Sequence, residues 1–377
     1  MNMRKIILIA VAAMMAISAS AQETVKKVRL YKGNTIVAEQ NYDELDSIVF
    51  ADVTPIKPDT TPVNPNFHAK AFTINSKGDQ VFFSQGNLQY QASTNTWRFA
   101  ENQYDAIGEA NSASSSTNEG WIDLFGWGTS GYDNTANDPF AVNYQPWATS
   151  NSKLNQTIVV TVKEPEIESI NCEMKPITGK CDTIWTAAET ATYKSNNYNY
   201  YGYGPSTFMT DKNLTGTSAE YDWGVHNALS NGGDQVGLWR TLTYAEWNYI
   251  LTGRNSAQYL RSQATVCGVH GYVLLPDDFN LPEGLSWNYQ TNDWDTNTYG
   301  PQAWSAMEAT GAVFLPAAGY RLGTSVSDVG SLGRYWSASY YSQEYAYCMN
   351  FTSSSAGVGI YGRYFGYGVR LVRTVSE

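Results

Sequence analysis

Cys267 and His270 stand close together in the chain, and a thiol next to an imidazole is the pairing from which a base-activated nucleophile is built. The remaining histidines, His68 near a proline-rich stretch and His226 beside Trp223, have no cysteine or second histidine at metal-ligand spacing. No H-x-x-H, C-x-x-C or G-x-S-x-G occurs. Asp277-Asp278, and the D-x-D-x-N run of Asp293, Asp295 and Asn297, are oxygen donors of the kind calcium takes. The second run lacks the glycine and the distal glutamate of an EF-hand loop, so both read as solvated turn acids. The sequence therefore assigns no catalytic residue, no metal ligand and no cofactor.

What it does offer is a surface for recognition. Eight of the 27 tyrosines fall between residues 335 and 367, with Glu344 as the single acid and no lysine. Tyrosine and arginine set among serine, glycine and asparagine is the chemistry of antibody loops: large rigid contacts at low conformational cost, with small polar groups that adapt their hydrogen bonds. The ligand-binding residues expected on this basis are Tyr340, Tyr341, Ser342, Tyr345, Asn350, Tyr361, Arg363, Tyr364, Phe365 and Tyr367. In a strand over 346–351, alternation sends Tyr347, Met349 and Phe351 to one side and Cys348 and Asn350 to the other. The segment 352–359 has too little apolar mass for a core and reads as a loop.

These residues need a frame, and turn signals with short strands dominate from Phe67 onward. Phe72 and Ile74 pair with Val81 and Phe83 across Lys77-Gly78-Asp79, and Leu88 and Tyr90 pair with Trp97 and Phe99 across Asn95. Thr243-Tyr244-Ala245-Glu246 is a capping box, with Leu242 and Trp247 as its hydrophobic staple, and Ile250, Leu251 and Arg254 continue at helical spacing. A second helix is expected near 302–307, and strands near 269–275, 313–315, 335–340, 346–351 and 369–374.

At 377 residues the chain suits one large domain with appendages. Acids exceed bases 35 to 24, and the last lysine is Lys212, which argues against nucleic acid and against a lysine-rich membrane-binding face. Arg4 and Lys5, an apolar run over 6–17 and Ala19-Ser20-Ala21 form a signal peptide ending at residue 21, so export to the cell surface or beyond is expected. No run is long enough for a transmembrane segment. Residues 22–53 read as a small β unit, 54–66 as a proline-rich linker and 67–377 as the main domain, with 151–190 an inserted hairpin. Four cysteines in an exported chain permit two disulfides. Cys172 and Cys181 flank a turn and could clip the insertion, while Cys267 and Cys348 form either a pair or two thiols.

Four motifs then carry a resemblance. Arg240-Thr241-Leu242-Thr243-Tyr244-Ala245-Glu246-Trp247, Val273-Leu274-Leu275-Pro276-Asp277-Asp278-Phe279, Phe314-Leu315-Pro316-Ala317-Ala318-Gly319-Tyr320-Arg321, and Tyr335-Trp336-Ser337-Ala338-Ser339 with Gly368-Val369-Arg370-Leu371-Val372-Arg373 resemble the Fibrobacter-type paralogous domain of bacterial surface proteins. The likeness covers about residues 70 to 374 outside the insertion. It implies an α+β, C-type-lectin-like fold of the formylglycine-generating-enzyme subclass, strand- and loop-rich with about two helices. It also implies kinship with the variable proteins of diversity-generating retroelements. In those relatives the tract after the Tyr-Trp-Ser motif is diversified between fixed frame residues. Here Trp336, Ser337, Ala346, Phe351, Gly366, Val369 and Arg370 fall on frame positions, and Tyr340, Tyr341, Ser342, Tyr345, Asn350, Tyr361, Tyr364 and Phe365 on or near varied ones. The resemblance implies a non-enzymatic adhesion or ligand-binding protein whose partner is a protein or glycan at a cell surface. The alternatives are a thiol- or metal-dependent enzyme of the formylglycine-generating fold, requiring Cys348 to converge with Cys267 or His270, and a structural subunit of a surface assembly. The cysteine pair those enzymes use is represented here by Cys348 alone.

Overall fold

The computed structural model describes residues 70–134, 136, 144–147, 210–289, 291–342 and 344–375, together with the backbone of 27–32, 35–41, 156–161 and 190–195. The chain divides into two compact units, Met1–Val63 and Asn64–Glu377. In the first, Lys27–Lys32 and Thr35–Asn41 form an antiparallel hairpin. The leader, the linker 54–66, His68, Cys172 and Cys181 lie outside the described residues.

The second unit is α+β, rich in short strands and poor in helix. A four-stranded sheet places Leu371–Thr374 between Arg240–Thr241 and Gln80–Phe83, with Phe72–Thr73 on the far side. The described C-terminus thus lies against one of the unit's first strands. A second sheet runs Thr298–Tyr299, Arg261–Val266, Val269–Leu274, Val313–Pro316, and its single parallel pair joins the first two. A third is made of Thr96–Phe99, Leu88–Gln91 and Trp121–Ile122. The fourth, Gly333–Tyr340, Tyr345–Phe351 and Ala356–Gly362, carries the tyrosine-rich tract. Gln156–Thr161 and Thr190–Ser195 pair antiparallel.

Local chemistry accounts for the helices. The Thr243 side chain accepts from Glu246 N–H, and the Glu246 carboxylate accepts from Thr243 N–H at 2.7 Å, so two orphan amides of the helix Tyr244–Asn248 are satisfied. Arg240 grips the same carboxylate with two bonds of 2.8 Å. The helix widens into a π-helical turn, Tyr249–Gly253, closed by Arg254 N–H to the Tyr249 carbonyl at 3.0 Å. Ile250 and Leu251 both bury, and the buried Arg254 reaches Asp277 at 3.2 Å. Pro301–Ala309 begins with proline at its first turn, where the missing N–H costs nothing.

Three aromatic clusters form the core. One gathers Trp97, Phe125, Trp127, Trp223, Trp239 and Trp336, the second Phe83, Trp247, Tyr335 and Phe351, and the third Trp304 and Phe314. Polar groups sit among them. Asp123, buried, accepts Asn111 Nδ2–H at 2.7 Å and Gly108 N–H at 2.6 Å. Burial nevertheless pushes its carboxyl up to about 7 against those bonds. The folded protein therefore keeps a proton that the unfolded chain has lost over about pH 4 to 7, and this group's contribution to stability falls as pH rises through that window. Melting temperatures of the native chain and Asp123→Asn should accordingly converge or cross between pH 4 and 7, the native chain losing ground as pH rises. A constant difference across that range would contradict the assignment.

Candidate functional site

Tyr345–Phe351 lies at the centre of the fourth sheet, in unbroken antiparallel register with Ala356–Gly362 and paired on its other side with Gly333–Tyr340. Its two faces bury against different clusters. Ala346 and Cys348 enter the first with Trp336, and Met349 and Phe351 enter the second with Tyr335. The alternation expected over 346–351 is present, but both faces are covered where the strand is central. Only toward the 341–345 end does one face emerge into solvent.

That end carries the exposed tyrosines. Tyr341 N–H and Ser342 N–H both donate to the Tyr345 carbonyl, at 3.2 and 3.0 Å, so the reversal is tight. Tyr341 is 51 % exposed and Tyr345 42 %. On the same face the half-buried Tyr347 ring lies 5.5 Å from Tyr341 edge-on and 4.3 Å from Tyr244. Ile360, opposite Tyr347 on the neighbouring strand, is 40 % exposed. Tyr244 is delivered by the capped helix, and its N–H donates to Ser339 Oγ at 2.9 Å. The register slips between Trp336 and Tyr340, where Ser337 Oγ–H donates to the Tyr347 carbonyl at 2.8 Å. The result is a shelf of four phenol rings and one aliphatic side chain, anchored from a helix and two strands.

The other half of the expected site lies across the sheet. Tyr340 and Tyr361 face the first cluster, with Phe365 packed against it. The Arg334 guanidinium sits 4.0 Å over the Tyr361 ring and donates to Tyr367 Oη at 2.8 Å. Phe365 packs against Tyr364 at 4.6 Å and edge-on to Tyr320 at 5.5 Å. Asn350 is half-buried and donates to the Gly357 carbonyl. These rings are partly open but hold one another.

Two expected contact residues are corrected. Tyr367 is fully buried, because its backbone exchanges two 2.9 Å bonds with Phe125, which draws the ring into the core. Arg363 is buried with its guanidinium 4.7 Å over Trp127, its N–H bonded to Glu344 and its carbonyl to Trp127 N–H. The segment read as loop over 352–359 is also corrected: Ala356–Gly362 is a strand, and only the turn before it is irregular. The sequence reading missed Tyr244, Tyr347 and Ile360. Tyr244 stands at the first position of a capped helix, which usually faces outward, but nothing local says what it will face.

The residues expected to be fixed and those expected to vary separate by burial. Trp336, Ser337, Ala346, Phe351, Gly366, Val369 and Arg370 are all buried, whereas none of Tyr340, Tyr341, Ser342, Tyr345, Asn350, Tyr361, Tyr364 and Phe365 is.

The groups considered for catalysis have structural partners. Cys348 is sealed in the first cluster, where burial drives its thiol pKa up. Cys267 sits at a hairpin turn packed on the third cluster and bonds Tyr104, and both thiols are free. His270 bonds the Gly330 carbonyl at 2.7 Å and stacks on Trp294, and His226 bonds Glu220 at 2.8 Å. Asp277 accepts from Thr73 N–H and Arg254, Asp278 pairs with Lys70, and Asp293 caps the turn at Asp295 and Thr296. Asn297 is buried between Gln263 and Asn288. No helix among the described residues is long and apolar enough to cross a membrane. Compared with family models, with curated proteins and with solved structures, the chain matches none.

Proposed function

We propose that this is an exported ligand-binding protein of the cell surface, with a C-type-lectin-like main domain whose recognition face is the shelf of Tyr341, Tyr345, Tyr347, Tyr244 and Ile360. The observation that carries this reading is exposure: Tyr341, Tyr345 and Tyr244 keep 51, 42 and 38 % of their surface in water, whereas Tyr335, Trp336 and Tyr367 of the same tract are consumed by the core. Rings held by a rigid sheet and a capped helix bind at low entropic cost. The separation of frame and varied positions by burial supports kinship with diversified variable proteins, because a changeable side chain must reach solvent without disturbing the core. The signal-peptide pattern supports export. The ligand class is protein or glycan, since phenol rings stack on sugars and pack on proteins alike. The thiol alternative gains nothing from the geometry, with Cys348 and Cys267 in different clusters.

Exposed aromatic anchors contribute about 2 kcal/mol each to an interface, so Tyr341→Ala with Tyr345→Ala should lower capture on glycan and surface-protein arrays more than tenfold. Because neither ring fills the core, the melting temperature should stay within about 2 °C of the native value. Capture by the native chain that survives in the double variant, or capture lost together with the fold, would overturn the assignment.

A further inference from the structure

Ala356–Gly362 is the outer strand of its sheet: it pairs with Tyr345–Phe351 on one side, and among the described residues no strand meets the other. The phase of its hydrogen bonding follows from the two ends of the ladder. Thr352 N–H donates to the Ser355 carbonyl and Arg363 N–H to the Glu344 carbonyl, both at 2.9 Å, in one continuous register. In an antiparallel ladder hydrogen-bonded and non-bonded pairs alternate. Gly357, Gly359 and Tyr361 therefore turn their amides and carbonyls inward, and Ala356, Val358, Ile360 and Gly362 turn theirs outward. The Gly362 carbonyl is taken by Phe365 N–H at 3.1 Å, which leaves the edge open at Ala356, Val358 and Ile360.

This edge lacks the usual protection. Its sequence, Ala-Gly-Val-Gly-Ile-Tyr-Gly, has no charge and no proline, and its register has no bulge, the devices by which proteins keep edges from pairing.

We infer that the edge pairs antiparallel with the same edge of a second copy, about a two-fold axis through Gly359. The tract is self-complementary about that residue. Val358 comes opposite Ile360 of the second copy in hydrogen-bonded pairs, both on the shelf side and both β-branched. On the other side Tyr361, whose ring is held by Arg334 over Gly359 of its own strand, comes opposite Gly357, so no bulky side chain faces it across the join. The strand carries no charge, so the join itself adds no like-charge repulsion to that between two acidic copies. The two-fold interface is isologous, and it joins two three-stranded sheets into six strands with both shelves on one face. The pairing shares Ile360 with the shelf, but its test by sedimentation does not depend on what the shelf binds.

Sedimentation velocity of the purified chain tests this. So small an interface should give a monomer–dimer equilibrium with Kd on the order of 10–100 µM. Val358→Lys and Ile360→Lys each set an ammonium into the join, and each should leave a monomer at about 200 µM; the exposed Ile360→Lys should keep the dilute-solution melting temperature, whereas Val358→Lys also gives up packing on the second cluster. Register is read by mixing copies carrying Val358→Cys with copies carrying Ile360→Cys. Under mild oxidation the mixture should form a disulfide-linked dimer well in excess of either variant alone, because directly paired positions lie within disulfide reach. A native chain that stays monomeric throughout, as it would if the edge takes an extended peptide of another protein, overturns the inference. So does a dimer that survives both lysine variants, or a dimer whose mixed cysteine variants do not cross-link.

Discussion

Gly319→Ala should unfold more of this protein than any surface change, lowering the melting temperature by about 10 °C or more in a calorimetric scan. Gly319 has φ +71°, and a Cβ there would lie 2.0 Å from the Ser327 carbonyl oxygen and 2.8 Å from Val329 N. Both are backbone atoms, so no side chain can rotate out of the way. The segment opposite is held as well: Gly319 N–H donates to the Leu332 carbonyl and Gly330 N–H to the Ala317 carbonyl, each at 2.7 Å. Strain at positive φ alone costs about 1 kcal/mol, and displacing the paired backbone adds several more. Gly330 supplies the internal control. Its φ is +80°, but nothing lies within 4 Å of an added Cβ. Gly330→Ala should therefore show only the conformational part, about 1 kcal/mol. Equal losses at the two positions would mean that the clash at Gly319 is relieved by movement of the Ser325–Ser327 hairpin arm.

The contrast explains which parts of the fold were legible in the chain. The helix at Tyr244 could be read because its start is decided within four residues by Thr243 and Glu246, and the hairpins across Lys77-Gly78-Asp79 and Asn95 because turn chemistry is local. Ala356–Gly362 could not. Glycine or alanine at four of its seven positions gives it little intrinsic strand preference, and it is a strand because Tyr345–Phe351 offers it a complete ladder. The π-helical turn at Tyr249 was equally hidden, since Ile250, Leu251 and Arg254 fit a regular helix about as well.

For the candidate site, composition pointed to a segment but not to which of its faces is open. Tyrosine type says nothing about burial, and Tyr367 and Tyr341 look alike until Phe125 claims one of them. The separation into a solvent shelf and a half-buried stack across the sheet follows from alternation only once the strand Ala356–Gly362 is known to continue both faces. Tyr244 joins the shelf through tertiary packing that no sequence window contains. Exposure in this tract is thus a property of the sheet's edge and end, which makes the buried residues behind it decisive for the candidate site as well as for the fold.

Arg370 is the buried residue behind the tract on which most depends. It is fully buried, and its guanidinium donates to the Ser84 carbonyl at 3.0 Å and to the Phe314 carbonyl. Ser84 follows the strand Gln80–Phe83 of the first sheet, and Phe314 belongs to the second, so one side chain ties the two. Beside it Tyr335, in the strand that backs the tyrosine shelf, donates to the Pro316 carbonyl at 2.8 Å. Burial pulls the Arg370 pKa down to about 10, with Tyr335 and Glu308 opposing the shift, so the cation persists at neutral pH. Arg370→Ala would leave two buried carbonyls without their donors and open a cavity, a loss of about 3–5 kcal/mol in urea unfolding. Arg370→Lys should recover only part of this, because a single ammonium cannot span both carbonyls as the planar fork does. Full recovery by lysine would show that charge near Tyr335 and Glu308 matters more than the bridge. A loss under about 1 kcal/mol for alanine would show that the sheets are joined chiefly by their aromatic clusters.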